Sequence, residues 1–576
     1  MMKIRIIFSL VCVFAMTKVT TSFSATVDEI WERPNWGSEA TLKPGTHRAN
    51  IYELEEREKA TYTRKGKLHA LVYPVEVSGI FLPTAPMKKF FKDPEPIIYH
   101  FENQLMGEKL PIPRARTMDE FYEWVGLYHY PEEGAQEEGF EEIPFPSRSK
   151  PKFRMGVTLV EDKKGNEKMT FSCATCHSME MFGKKVLGLT NKRPRANEVF
   201  VMAGKYLPYL HPSVFRLLTG ANENDTKEFI RTRKNVRAVG TKSPLALGLD
   251  TSLAQMGLSF SKRGEDSYIE KNLFYEKYPR YNELSKVPAD SKPAVWWNVK
   301  YKTRWLSDGS IVSGNPIFTN FLWNEIGRGV DLHKLEGWMD KNKKTVIELT
   351  SAVFSNKAPH FTDFFEAELI NIEKAKKGEL VFNDTCKKCH GQYVKNWSEE
   401  NSSNMSLKEK LKTKTVVYHE KTPVKKVGTD PLRYEGMKYF YKDLNKLTLS
   451  KKMNTVVEPQ EGYVPPPLVG IWMRYPYFHN GSAPTLCDVV TRPSQRTKVF
   501  YQGPANDVET DFDMECVGYP RGNKIPRQWK TTEAKIDTSR PGLRNTGHYK
   551  MWLDDEGAEK YSWQDKMNLI EFLKTL

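Results

Sequence analysis

Cysteine is scarce in this chain, seven residues in 576, which excludes a small disulfide-stapled scaffold. Beyond the N-terminus no stretch offers about 18 uninterrupted apolar residues, so no membrane span is expected. Internal repeats are lacking apart from one short motif, which excludes a solenoid or a propeller. Charge is not lacking: 87 Lys and Arg stand against 72 Asp and Glu, a formal net charge of +15. The basic residues are nevertheless spread along the whole chain without clusters, and nucleic acid is a poor partner for such a surface. A basic face that steers an acidic redox partner is one reading of the excess; a solvated surface is the simpler one. With 39% hydrophobic residues and a mean hydropathy of −0.59, a water-soluble globular chain with a large core is expected. Its length suits two to four domains.

The first residues differ in character from the rest. Lys3 and Arg5 precede an apolar run over residues 6–16, and small residues follow around Ser22 to Ala25. This pattern predicts a secretory signal peptide over residues 1–24, with cleavage after Ser24 or, alternatively, after Ala25. A periplasmic or secreted protein is the expectation.

The few cysteines are arranged in a telling way. Four of the seven fall in two identical patterns, Cys173-Ala174-Thr175-Cys176-His177 and Cys386-Lys387-Lys388-Cys389-His390. Two thiols three residues apart, followed at once by an imidazole, suit covalent haem attachment: each thiol forms a thioether to a vinyl group, and the imidazole ligates the iron. A zinc site built from two CxxC pairs is the alternative, but zinc knuckles do not need a His directly after each second Cys. Two covalently attached haem c groups are therefore expected, on His177 and His390. Export agrees with this independently, because c-type attachment takes place outside the cytoplasm. Cys487 and Cys516 lie outside the motifs; in an oxidising compartment a disulfide between them would close a loop of about 30 residues, worth very roughly 3 kcal/mol. Two separately buried thiols are the alternative.

Along the chain, residues 69–82 are β-branched and aromatic and predict one or two strands broken at Pro74 and Gly79. Proline-rich connectors at 93–96 and 111–113 and an acidic tract at 131–142 follow, placing a boundary near 150. Residues 154–173 read as a hairpin that delivers Cys173 at a strand end. Residues 197–229 are expected to be mainly helical with breaks at Pro208 and Pro212, residues 371–382 form a helical lead-in to the second motif, and 398–418 read as a loop with a short helix. Ser562 and Asp565 resemble a capping box, and Met567, Ile570 and Leu573 share one face of a final helix. The fold class is thus mainly α with long loops and a few short β-strands. Its expected units are an N-terminal extension over 25–150, a first haem domain over 151–345 and a cytochrome c-like haem domain over 346–576.

Function turns on the sixth iron ligand, since a strong protein ligand makes an electron carrier and an open position makes a site for oxygen or peroxide. His548 and His479 are candidates for the second haem. Near the first, Met179, Met181, Met202 and His211 have no distinctive setting. Trp296 and Trp297 are candidate pocket walls or electron relays, with ordinary core packing the simpler reading.

Seven segments resemble a known family: Val186-Leu187-Gly188-Leu189-Thr190-Asn191, residues 248–254, Val295-Trp296-Trp297-Asn298-Val299, Gly428-Thr429-Asp430-Pro431-Leu432, residues 466–470, residues 477–486 and Asn545-Thr546-Gly547-His548. Together they are similar to the di-haem cytochromes related to the rubber oxygenases, a distant branch of the bacterial di-haem cytochrome c peroxidase superfamily. The resemblance implies two cytochrome c-like domains with long loops. It implies a reaction centre at the His177 haem, and a six-coordinate, electron-passing haem on His390 with His548 as second axial ligand. By the same resemblance His479 is a neighbour of the ligands near the haem interface. The expected partners are a small-molecule oxidant, oxygen or peroxide, and a redox partner or organic substrate; a calcium ion between the domains is a further candidate. An electron-transfer cytochrome with both haems six-coordinate and no catalytic site is the other class of function.

Overall fold

Two helices that meet across nearly 200 residues of sequence set the frame of the C-terminal half. Ile372–Thr385 (α1) starts where the Asn371 side chain accepts the Lys374 N–H at 3.0 Å, and it ends at Cys386. Trp563–Lys574 (α2) starts at a capping box of Ser562 and Asp565, as the sequence predicts, and buries Leu569, Ile570, Phe572 and Leu573. Gly378 lets the two backbones touch: a Cβ there would sit 1.9 Å from the Asn568 carbonyl oxygen. Gly378→Ala is therefore expected to destabilise the protein by about 1–3 kcal/mol through overpacking, measured by chemical denaturation. Helix propensity alone favours Ala by about 1 kcal/mol, so a stabilised variant would show the contact to be loose.

The computed structural model describes residues 25–92, 115–135, 138–162 and 165–576. Residues 1–24, expected to be a signal peptide, the connectors at 93–96 and 111–113 and Lys164 of the hairpin turn lie outside the described residues. Helix accounts for 42% and strand for 10%, and the strands are two to five residues long. Among the described residues, no helix is long and apolar enough to cross a membrane.

A three-stranded antiparallel sheet feeds the first motif. Val157–Glu161 (β2) pairs with Glu167–Phe171 (β3), Val157 opposite Phe171, and β3 also pairs with the short Leu82–Pro83 (β1). The chain leaves β3 directly into Cys173. The strands expected over 69–82 do not form: residues 69–71 finish the helix Glu56–Leu71, and only Leu82–Pro83 is strand. Their polar groups are satisfied by distant side chains instead of a ladder. The Tyr73 N–H donates to Thr158 Oγ1 at 2.6 Å, and the Gly79 N–H donates to the Glu325 carboxylate at 3.0 Å. The stretch 398–418 holds its short helix, Leu407–Lys410, and also a strand, Thr413–Val417, paired with Gln392–Lys395.

The apolar residues gather into two large cores. One runs from Ile30 to Val457 and has Cys173 packed on it; the other runs from Met179 to Leu576 and has Cys386 packed on it. They meet at the 3-10 helix Trp296–Tyr301, where Trp296 belongs to the first core and Trp297 to the second. Neighbouring side chains on that helix point apart, so one short segment ties both cores together.

Candidate functional site

The first motif is buckled in place by residues 186–191, which begin at the end of the strand Lys184–Leu187. The Gly188 N–H donates to the His177 carbonyl at 2.7 Å, the Asn191 N–H to the Cys176 carbonyl at 2.9 Å, and Asn191 Nδ2 to the Thr175 carbonyl at 2.9 Å. Thr175 Oγ1 closes the arrangement by donating to the Gly156 carbonyl at 3.0 Å. Held this way, the His177 ring is half-buried with its Nδ1 shielded from solvent, and burial pulls its pKa down to about 4 with the Ala294 backbone opposing. Its Nδ1 makes no hydrogen bond of normal geometry. The Trp296 ring lies 5.6 Å away, tilted by 38°.

The second motif follows α1 through the one-turn helix Lys387–His390. His390 Nδ1 lies 2.8 Å from the Pro466 carbonyl, which fixes that nitrogen as the donor and leaves Nε2 as the free lone pair. Pro466 belongs to a run of prolines, 465–467, that lacks N–H donors and so offers only carbonyls. Tyr418 donates to Pro465 at 2.6 Å, Asn298 and Arg474 donate to Pro467 at 2.9 and 2.8 Å, and Trp297 Nε1 donates to Val469 at 2.9 Å. This rack of carbonyls is what orients His390. Burial again lowers its pKa to about 4.

Across from His390 stands His548. It sits at φ 50, a left-handed conformation that is uncommon for a side-chain-bearing residue, and its N–H donates to the Val427 carbonyl at 2.7 Å. The preceding Gly547 crosses the chain at Gly428, where a Cβ would lie 2.1 Å from the Gly428 carbonyl carbon. This crossing aims the imidazole inward. The two ring centres are 6.2 Å apart. That is the spacing of two imidazoles sharing one metal ion, about 2 Å from the ion to each nitrogen and about 1 Å more to each ring centre. His548 Nδ1 is buried without a partner, and burial pulls the ring's pKa down to about 3, with His390 and then Arg496 adding. Both imidazoles are therefore neutral and free to ligate.

One cavity of about 560 Å³ holds Cys173, Cys176 and His177 at one end and Cys386, Cys389, His390 and His548 at the other. His479 lies on its wall, stacked on Tyr463 with ring centres 3.8 Å apart, and burial pushes its pKa down to about 3, with Arg433 and then Lys292 adding. Trp296 lines the cavity, whereas Trp297 does not, being a core residue with its N–H on Val469. Burial raises the Cys173 and Cys386 thiols to about 11. Among the described residues no three His, Cys, Asp or Glu side chains converge, so the four thiols form no joint zinc site. The thiols beside neutral imidazoles, opening on a common cavity, fit covalent haem at each motif.

The His177 end has polar groups that the sequence did not single out. Ser252–Ser261 (α3) and Pro316–Gly327 (α4) pack together, and α4 turns Ile317, Asn320, Trp323 and Asn324 toward the cavity. Gln255 of α3 donates from Nε2 to the Gly327 carbonyl at 2.9 Å, while its Oε1 and the Trp323 Nε1 are buried without partners. Gln255 directly follows the segment 248–254, so its position next to a distinctive motif was the available signal. The only carboxylate on the described cavity wall, Asp250, is occupied by Ser252 and Asn197. Of the four residues weighed as ligands to the first haem, none lines the cavity. Met179 and Met181 sit in the second core, Met202 packs against a smaller apolar cluster, and His211 is exposed as the N-cap of Pro212–Thr219. Cys487 and Cys516 form a disulfide, sulfurs 2.02 Å apart.

Residues 462–501 match the family described as RoxA-like, cytochrome c-like. This match contains the carbonyl rack, His479 and Cys487. Two proteins of Sinorhizobium fredii (strain NBRC 101917 / NGR234) are similar in sequence. Uncharacterized protein y4iM is 32% identical over 124 residues, 20% of this chain and 27% of the relative. Uncharacterized protein y4iJ is 26% identical over 254 residues, 36% of this chain and 39% of the relative. The similarity thus spans less than half of each relative.

Proposed function

We propose that the chain is an exported c-type cytochrome with two covalent haems, an oxidoreductase whose His177 haem binds oxygen or peroxide and whose His390 haem passes electrons. The observation that carries this reading is the inequality of the two ends of the cavity. His390 faces His548 at 6.2 Å. On the described cavity wall the one methionine, Met551, stands three residues after His548, and the further His is His479, stacked on Tyr463. At the His177 end the wall offers Gln255, Asn320, Trp323 and Asn324. The RoxA-like match supports a relation to the rubber-oxygenase cytochromes, and placement in the di-haem peroxidase superfamily, with two haem units over 151–345 and 346–576 behind an N-terminal extension, is part of the proposal. Periplasmic or secreted location follows from the residues at the N-terminus.

When bound, haem iron would supply oxygen or peroxide binding at the His177 site and electron transfer at the His390 site. The chain's own residues then have separate tasks. His177 and His390 would hold the two haem irons, His548 would complete the second site, and the Pro466 carbonyl holds His390 in one tautomer. Gln255 Oε1 and Trp323 Nε1, unpaired among the described residues, are the groups available to hydrogen-bond a small oxidant or its bound water. A redox partner or an organic substrate supplies the electrons.

Titrating the purified protein with cyanide or carbon monoxide, followed by optical and electron paramagnetic resonance spectra, tests the assignment. One haem is expected to respond and to saturate at a single ligand per two haems, the other remaining low-spin throughout. Two low-spin haems that ignore both ligands and peroxide would make the protein an electron carrier without a catalytic site.

A further inference from the structure

The wall of the cavity between the two motifs carries several cations, while the one carboxylate among its described residues, Asp250, is held by Ser252 and Asn197. Lys302 terminates the 3-10 helix Trp296–Tyr301 that joins the two cores, is 9% exposed, and lines the cavity. Among the described residues its ammonium has no ion pair, and the charged neighbour acting on it is Arg474, another cation. Arg474 lines the same wall, with its Nη1 on the Pro467 carbonyl. Lys292 lies beside it, its Nζ on the carbonyls of Arg474 (3.0 Å) and Pro476, and Arg433 contributes a guanidinium whose contacts are Ser291 Oγ and Met437 Sδ. Among the described residues none of the four is ion-paired with a carboxylate.

Taking an ion out of water costs several kcal/mol, and proteins meet that cost by pairing it. Four cations around one cavity without a counter-ion therefore point to anionic groups on whatever fills it. A haem brings two carboxylates, on the edge of the porphyrin opposite the vinyl groups. The thioether cysteines mark the vinyl edges, and the charges that act on Cys173, Cys176 and Cys386 include none of these four cations. Arg474, by contrast, acts on His390.

We propose that Lys302 and Arg474, flanked by Lys292 and Arg433, form a shared binding site for the haem propionates between the two motifs, and that their charge sets the haem reduction potentials. This rests on the haem reading above. A fixed cation near a haem favours the reduced state, which carries one more electron, so removing it lowers the midpoint potential.

Haem content of the full chain is measured first, because a protein without covalent haem defeats the parent reading and not this one. In the two-haem protein, Lys302→Gln and Arg474→Gln are each expected to lower the midpoint potential of at least one haem by about tenfold in its reduction equilibrium, about 59 mV for one electron. Lys302→Arg, which keeps the charge, is expected to retain the wild-type potential. The propionate carboxylate bands in the reduced-minus-oxidised infrared difference spectrum should shift in the Gln variants and not in Lys302→Arg. If the Gln variants fail to accumulate, the wild-type spectrum decides: clamped propionates stay ionised at mildly acid pH, and a protonated-carboxyl band there would overturn the proposal. So would unmoved potentials and bands in both Gln variants. Potentials that follow added acetate or phosphate, with propionate bands indifferent to the variants, would also overturn it by assigning the site to a diffusible anion.

Discussion

Changing Cys173→Ser and Cys176→Ser together is expected to cut the haem content from two to one and to abolish the response to cyanide, carbon monoxide and peroxide. The same pair of changes at Cys386 and Cys389 should also halve the haem content but leave that response in place. The contrast follows from the walls of the cavity: the first motif opens on neutral polar groups of α3 and α4, and the second is faced by His548 at 6.2 Å. Peroxide- or oxygen-dependent turnover should fall to background in both, in the first for want of a binding site and in the second for want of an electron route. Haem stoichiometry by pyridine haemochrome and ligand titration by absorbance give the readouts. Because an emptied haem site can cost the fold, His177→Gly is the gentler companion; it keeps both thioethers and removes only the imidazole. Ligand response that survives at the first motif's expense, or vanishes with the second motif, would reverse the roles assigned here.

Substituting His548→Gly is expected to leave both haems attached and to turn one low-spin haem high-spin. Gly is chosen over Ala because the position sits at φ 50, where a Cβ costs about 1–2 kcal/mol. The substitution opens a space shaped for an imidazole opposite His390, so added imidazole should restore the low-spin spectrum. Ligand titration of the variant should then saturate at one ligand per haem. An unchanged spectrum would direct attention to His479, which shares the cavity wall but is stacked on Tyr463. The ligand pair is also expected to depend on the Pro466 carbonyl, since a partner on the remote nitrogen holds an axial imidazole in its tautomer and orientation.

The parts legible in the sequence are those set by neighbours within a few residues. The two CxxCH motifs, the capping box at Ser562, and the hairpin that delivers Cys173 all arise from local spacing, and each has the expected secondary structure. Residues 69–82 misled because β-branched composition reports a fit to a half-buried sheet. In this protein the sheet partner is replaced by the Thr158 hydroxyl and the Glu325 carboxylate, both far along the chain. The tryptophan pair shows the same limit. Adjacent letters gave no hint that Trp296 would face His177 while Trp297 served the other core.

The amino-acid sequence alone marked the two CxxCH motifs at which haem attachment is proposed and the histidine of each that would hold it, because the motif is a matter of three residues within one turn. It also determined where helices begin and end around those motifs, since caps are local hydrogen bonds. The family resemblance already implied that the two motifs differ, and only the tertiary structure supplied the geometry of that difference. His548 reaches His390 through a glycine crossing at residues 428 and 547, His177 is left facing neutral side chains, and four cations meet on one wall from segments up to 182 residues apart. These are long-range juxtapositions, fixed by packing two cores around one cavity, and no local pattern encodes them.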